Sequence, residues 1–290
     1  MKQYLQLLDD ILEHGEPHSD RTGVGTLSLF GYQMRFDMSD GRFPLLTTKR
    51  ISFSLVLSEL LWFLRGSTDA RELQSVGNTI WDEWATASQC ERFGREEGDL
   101  GPIYGGLWRR YPVGDYYSDK GKIERADVSS SDQITQLIDE LTNNPSSRRL
   151  IVSGWHPYWQ SRVTLPPCHT LWQIKWHSKD NSLSLHLYAR SIDCFLGLPF
   201  NIASYALLLR MICQVVSMNI RELVISFGDV HIYNNHIDQV KLQLSRTCRD
   251  LPVLQITNWF RGKTLFDYNI EDYIIHGYNP WPRIPAPVAI

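Results

Sequence analysis

A chain of 290 residues, 43% of them hydrophobic and 21% charged, can bury a sizeable core within one large domain. Its formal net charge of −3 excludes a global attraction to nucleic acid or to an anionic membrane, and leaves only local basic sites for small anions. Five scattered cysteines (Cys90, Cys168, Cys194, Cys213 and Cys248), with no C-x-x-C pair, and an opening without a signal-peptide apolar run predict free thiols in a cytoplasmic protein. No stretch reads as the ~18 apolar residues of a membrane span.

Leucines at helical spacing predict a helix over residues 1–14, closed at Gly15. "TLSLFGYQMRF" (Thr26–Phe36) reads as strand, and Ser52–Gly66 as a largely apolar, buried helix. The polar stretch Ala85–Asp99 reads as a surface insertion. Ser131–Pro145 is an amphipathic helix, and Arg149–Trp155 a short buried strand. "SLSLHLYARS" (Ser182–Ser191) has the period of a strand with two different faces. Pro199–Val216 is a second buried helix, with its proline near the start. Asn234–Arg246 is an amphipathic helix with Asn234 as its N-cap. Helices and strands mix without a βαβ rhythm, repeat or long linker. The expectation is a single α+β domain over residues 1–290.

Cys168 stands out in "LPPCHTLWQIKW". It is read as a buried filler, half of a disulfide, a metal ligand or a nucleophile. Two prolines before it stiffen the backbone and remove amide donors, and a rigidly presented thiol beside a polar group suits a nucleophile. A thiolate needs a positive neighbour. Arg190 ends the next strand, after a hairpin-like break at "SKDNS", so antiparallel pairing would return it to Cys168. His169, His231 and His236 match no common zinc spacing with Cys168, so no metal is expected.

Four more features carry two readings each. His231 and Tyr233, two apart in "GDVHIYNNH", share one face of an extended segment; they sit at a strand-to-helix turn or grip a ribose hydroxyl. Arg148 and Arg149, like Arg21 in "SDRTG", are solvated turn residues or phosphate ligands. Glu59, in an apolar helix, lies on a wet stripe or carries protons. Trp81 and Trp84 in "NTIWDEWA" are core or a stacking platform for a flat heterocycle.

Ten segments in order resemble the thymidylate synthase family: "DRTGVGTLSLFGYQMRF", "FPLLTTKR", "ELLWFLRG", "TIWDEWA", "GDLGPIYG", "SRRLIVSGW", "LPPCH", "RSIDCFLGLPFNIASYALL", "GDVHIYNNHIDQ" and "APVAI". The resemblance implies an α+β fold with a large twisted mixed sheet, packed helices and a homodimer formed through that sheet. It implies one-carbon transfer to C5 of dUMP, with 5,10-methylene-tetrahydrofolate as co-substrate. Cys168 would be the nucleophile, joined in catalysis by Glu59, Tyr104, Arg190, Asn201 and Asp193. Arg21, Arg190 and Ser191 would hold the phosphate, with Arg148 and Arg149 reaching in from the other subunit. His231 and Tyr233 would hold the ribose, and Asn201 and His169 would belong to the dUMP site. Ile80, Trp81, Asp193, Leu196, Gly197, Phe200 and Ile290 would contact the folate.

Asn201 favours uracil, because an amide donates to O4 and accepts from N3–H, whereas cytosine reverses that pattern. Departures from the family pattern are Ala189, His156, the Gly106–Leu107 pair and, mildly, Ile192. Two outcomes of the last step stay open. Hydride gives dTMP, and water gives 5-hydroxymethyl-dUMP, as in phage hydroxymethylases, for which the compartment would be the host cytoplasm. A non-catalytic nucleotide- or RNA-binding relative is the alternative of another class.

Overall fold

A computed structural model describes residues 1–19, 22–113, 116–119, 122–125, 129–260 and 262–288. The chain forms two compact units, one of residues 1–61 and 168–290, the other of residues 62–167. The elements used below are α1 (Lys2–His14), β1 (Glu16–His18), β2 (Thr26–Asp37), α2 (Phe53–Arg65), α3 (Gln133–Asn143), β3 (His169–His177), β4 (Ser182–Asp193), α4 (Gly197–Val215), β5 (Asn219–Tyr233), α5 (Ile237–Leu244), β6 (Val253–Ile256) and β7 (Tyr273–His276).

In the first unit, α1 buries Tyr4, Leu7, Leu8 and Ile11, the i, i+3, i+4, i+7 stripe of an amphipathic helix. It stops at Gly15, which is extended (φ −66°) rather than left-handed. A Cβ there would meet the Ile11 carbonyl oxygen at 2.3 Å, so the glycine provides room. The sheet of this unit runs β1-β2-β5-β4-β3. Only the β4–β5 pair is parallel, which makes the sheet mixed. On β4 the residues Leu183, Leu185, Leu187 and Ala189 are buried, while His186 and Tyr188 between them are exposed. α4 packs against β4 and β5, and α1 against β2.

Three expectations need correction. By length and composition α4 is long and apolar enough to cross a membrane, but 72% of its apolar window is buried inside the protein, as in a core helix. The strand expected over Arg149–Trp155 is only Ile151–Ser153, and Ile151 is 45% exposed. Asn234 does not cap α5. It opens a 3-10 turn, Asn234–His236, and its side-chain amide donates to the Val24 carbonyl at 3.1 Å. That bond satisfies the loop before β2 at the expense of the cap. Within the stretch Ala85–Asp99, Ala87–Glu91 is a short helix with Cys90 buried.

In the second unit, Asp132 caps α3 by accepting from the Ile134 and Thr135 amides, both at 3.1 Å. Its other oxygen takes Arg109 Nε at 2.8 Å. Gln133 joins three backbone groups: it donates to the Leu107 and Ser153 carbonyls and accepts from the Ser153 amide, each at 2.9 Å.

The loop before β7 is fixed by a buried ion pair. Lys263 Nζ lies 2.8 Å from Asp272 Oδ2. The carboxylate also accepts from Asn258 at 3.1 Å and from the Asn269 amide at 3.0 Å. Burial alone would raise the Asp272 pKa, but these bonds outweigh it and hold the pKa below the usual value. Lys263→Met strands that carboxylate, and should lower the unfolding free energy by about 3–5 kcal/mol in a urea titration. The double variant Lys263→Met/Asp272→Asn should recover a large part of the loss. Equal losses in both would show that the pair is not coupled.

Candidate active site

The β3–β4 hairpin creates the first part of the site. His169 pairs with Ala189 in antiparallel register, and the Arg190 amide donates to the Cys168 carbonyl at 2.9 Å. The Arg190 side chain then reaches the thiol, with Nη2 at 3.9 Å from Sγ. The antiparallel return expected from the sequence is therefore present. A guanidinium beside a sulfur favours negative charge on it. Cys168 is partly exposed, unlike the buried Cys90, Cys194 and Cys213.

His169 is buried. Burial pushes its pKa down to about 4, against a hydrogen bond with Asn201 and with the Arg190 charge adding to the depression. The ring is therefore neutral at pH 7, and its edge meets Tyr205 at 5.1 Å between centroids. Asn201 lies in the first turns of α4. Asp193 holds the turn before that helix, its Oδ1 accepting the Phe195 and Leu196 amides at 2.8 and 3.1 Å. A Cβ on Gly197 would come within 3.8 Å of Asn201 Oδ1 and 3.9 Å of Asp193 Cβ, so Asp193, Gly197 and Asn201 are close neighbours. Leu196 and Phe200 are partly exposed there.

β5 supplies the next group. On both β4 and β5 the buried alternation changes phase, at Ala189–Ser191 and at Phe227–Asp229. Ile192, Val230 and Ile232 take the buried positions. Ser191, Asp193, Asp229, His231 and Tyr233 are left only partly covered. Gly228 lies at this level, where a Cβ would meet the Arg190 carbonyl oxygen at 2.6 Å; only a glycine allows that approach. His231 Nδ1 donates to Asp229 Oδ1 at 2.6 Å, and Ser28 Oγ donates to Asp229 Oδ2 at 2.7 Å. In the neutral ring, His231 Nε2 is then an acceptor. Tyr233 lies edge-on to His231, 5.2 Å between centroids, as expected from their two-residue spacing. Asp229 was not picked out from the sequence, although its two-residue spacing from His231 is the same signal.

Glu59 is buried in α2 at 7% exposure. In the second unit, Trp81 and Tyr104 belong to one aromatic cluster. Tyr104 stacks on Phe63 (5.0 Å), and Trp81 meets Tyr104 (5.9 Å), Trp84 (5.9 Å) and Trp62 (6.2 Å). Tyr104 has φ 29°, a sparsely populated conformation for a residue with a side chain. Gly105 behind it has no room for a Cβ, which would meet the Phe63 carbonyl oxygen at 2.3 Å. Ile80 is partly exposed, and Arg148 and Arg149 are both exposed.

The departures also have places. Ala189 is buried opposite His169. Ile192 is buried. A Cβ on Gly106 would meet the Thr68 methyl at 2.8 Å, and the Leu107 carbonyl receives Gln133. The His156 ring packs on Tyr111 at 5.3 Å, and its buried Nδ1 has no hydrogen-bond partner among the described residues. Arg21 and Ile290 lie outside the described residues.

Two buried groups escaped the sequence reading. Lys49 donates to the Phe195 carbonyl and lies 3.4 Å from the centroid of its ring. Burial pushes its pKa down to about 7, opposed by Asp193 and aided by Arg283. A lysine at the end of an apolar run, in "FPLLTTKR", was the available signal. His236, weighed only as a metal ligand, is fully buried. Among the described residues no group of three or more His, Cys, Asp or Glu could hold a metal ion.

The model of the family described as thymidylate synthase matches residues 2–290. A thiol under a guanidinium, a carboxylate-oriented histidine and an amide at a helix start, carried on strands and a helix of one mixed sheet, accord with that match. The chain belongs to the thymidylate synthase family, whose chemistry is folate-dependent one-carbon transfer to C5 of dUMP.

Proposed function

We propose that the chain is the synthase, converting dUMP to dTMP with methylene-tetrahydrofolate as donor of both carbon and hydride. The contact of Arg190 with Cys168 carries this reading. Cys168 adds as thiolate to C6 of the pyrimidine, which makes C5 an enolate-like carbon nucleophile. C5 takes the folate carbon and loses its proton, with Tyr104 assisting. Elimination of the folate leaves an exocyclic methylene. Hydride from tetrahydrofolate reduces it, Cys168 departs, and dihydrofolate forms.

In this reading Arg21, Arg190 and Ser191 bind the 5′-phosphate. The acceptor Nε2 of His231, with Tyr233, takes the ribose 3′-hydroxyl. Asn201, held by neutral His169, reads the O4 and N3–H edge, and Glu59 serves the protons at O4. Ile80, Trp81, Asp193, Leu196, Gly197, Phe200 and Ile290 contact the folate. Reduction rather than hydration is supported by the buried aromatic cluster around Trp81, which favours a dry site. One observation favours 5-hydroxymethyl-dUMP as product instead: His156 offers a buried polar nitrogen where asparagine is usual.

A homodimer with Arg148 and Arg149 acting in trans is part of the proposal. It is supported by an exposed row across the sheet. Leu171 pairs with Tyr188, Tyr188 with Ser226 and Ser226 with Gln33, so all four share one face. Leu171 and Tyr188 are exposed apolar groups in that row, and Phe30 on β2 is 88% exposed. The cytoplasm is the proposed compartment.

The deciding experiment combines tritium release from C5-labelled dUMP with the absorbance rise of dihydrofolate. The expected result is both signals together, and Cys168→Ser should lose about three orders of magnitude or more of each. Tritium release without the absorbance rise, and a product one oxygen heavier than dTMP, would mean hydroxymethylation. No release would leave a non-catalytic nucleotide- or RNA-binding protein.

Asn201→Asp should shift the dUMP/dCMP preference toward dCMP by about tenfold, since an unpaired buried polar group costs roughly 1–3 kcal/mol. An unchanged ratio removes Asn201 from the specificity argument. Mixing inactive Arg149→Ala and Cys168→Ala proteins under subunit exchange should restore activity, because one site of each heterodimer then has all its parts. No recovery despite measured exchange would mean a site built within one chain.

A further inference from the structure

At the C-terminal end of β5, Asp229, His231 and Tyr233 alternate onto one face of the strand. On the neighbouring β2, Ser28 pairs with His231 in antiparallel register, and Phe30 pairs with Asp229. Ser28 is buried. Its hydroxyl reaches diagonally across the pair and donates to Asp229 Oδ2 at 2.7 Å, while Asp229 Oδ1 receives His231 Nδ1 at 2.6 Å. Burial pushes the Asp229 pKa up, but the bonds from His231 and Ser28 outweigh it and hold the pKa below the usual carboxylate value.

A carboxylate has no proton to give. Both bonds therefore run toward Asp229, and the proton of the neutral His231 ring is fixed on Nδ1. Moving that proton would turn a lone pair of Nδ1 toward an anion. The His231 side chain is mostly covered, so water does not freely replace a lost partner there. Three side chains on two strands thus set the polarity of one atom: Nε2 can accept a hydrogen bond and cannot give one.

We propose that Asp229, held by Ser28, is a positioning residue that makes the nucleotide site select a sugar 3′-hydroxyl able to donate to His231 Nε2. A nucleotide that lacks this donor is then disfavoured through Asp229, two residues from the atom that makes the contact. The nucleotide part rests on the function proposed above.

The test compares wild type, Asp229→Leu and Asp229→Asn, each first shown to unfold cooperatively on heating. Leucine removes the acceptor that faces Nδ1. Asparagine can keep its carbonyl oxygen on Nδ1 and turn its amide nitrogen to Ser28, whose hydroxyl also accepts. Titration calorimetry reports Kd for dUMP and for 2′,3′-dideoxy-UMP. Both carry the same base and 5′-phosphate, so a changed charge near the phosphate, or a general loosening, cancels in the ratio. Wild type should prefer dUMP by about tenfold, the effect of one hydrogen bond. Asp229→Leu should bring the ratio to within about twofold of unity, and Asp229→Asn should keep most of the wild-type preference. An unchanged ratio in Asp229→Leu, whether or not both affinities fall, overturns the proposal. NMR of the histidine ring nitrogens reads the tautomer without any ligand, the His231 signals being identified by their loss in His231→Gln. A proton on Nε2 in the wild type overturns the proposal as well. Wild type that binds neither nucleotide overturns the functional reading and the selectivity with it, while the NMR measurement still decides the role of Asp229 in orienting His231.

Discussion

The backbone hydrogen bond from Arg190 to the Cys168 carbonyl sets the register on which the larger unit's site depends. It fixes which residue of β4 stands beside the cysteine, and so which charge meets the sulfur. A slip of one residue would send the Arg190 side chain to the opposite face of the sheet, because side chains alternate along a strand. The same register places Ser191 and Asp193 at the end of β4. From there Asp193 starts α4, which carries Asn201 back to His169. β5, parallel to β4, sets His231 opposite Asp193.

Polar groups survive at this end of a largely apolar sheet because both strands change phase together. Gly228 makes the change possible by letting the Arg190 carbonyl come where a side chain would stand. Beyond that level, isoleucine and valine take over the buried positions. Asp229, His231 and Tyr233 are then left partly covered, with Asp229 hydrogen-bonded to His231 and to Ser28. The cost of withdrawing Asp229 from water is offset by donors from two strands, which hold its pKa below the usual carboxylate value. His169 resolves the same problem differently and stays neutral.

The smaller unit gives its candidate residues rigidity through aromatic packing. Tyr104 holds an unfavourable backbone angle and is fixed by its stack on Phe63 and by a helix that begins at Gly105. Such strain persists only where the surroundings over-determine it. The departures from the family pattern here are small changes in a connected framework. Gly106 gives room to Thr68, the Leu107 carbonyl is held by Gln133, and His156 lies on Tyr111.

Much of this was legible in the chain alone. The periods of α1, α2, α3, α4 and β4 follow from local geometry, and the short hairpin break at "SKDNS" was enough to predict the meeting of Arg190 with Cys168. The spacing of His231 and Tyr233 likewise placed them on one face. Other features needed the folded chain, because they depend on partners far away in sequence. Asn234 abandons its helix to satisfy Val24. Lys49 lies on Phe195, and Ser28 completes the Asp229 site. His236 donates to the Pro287 carbonyl. The sequence by itself determined the periods of the long helices and of β4, the family and the chemical groups. The tertiary structure decided which buried polar atoms share a partner, since that depends on long-range contacts that no local pattern encodes.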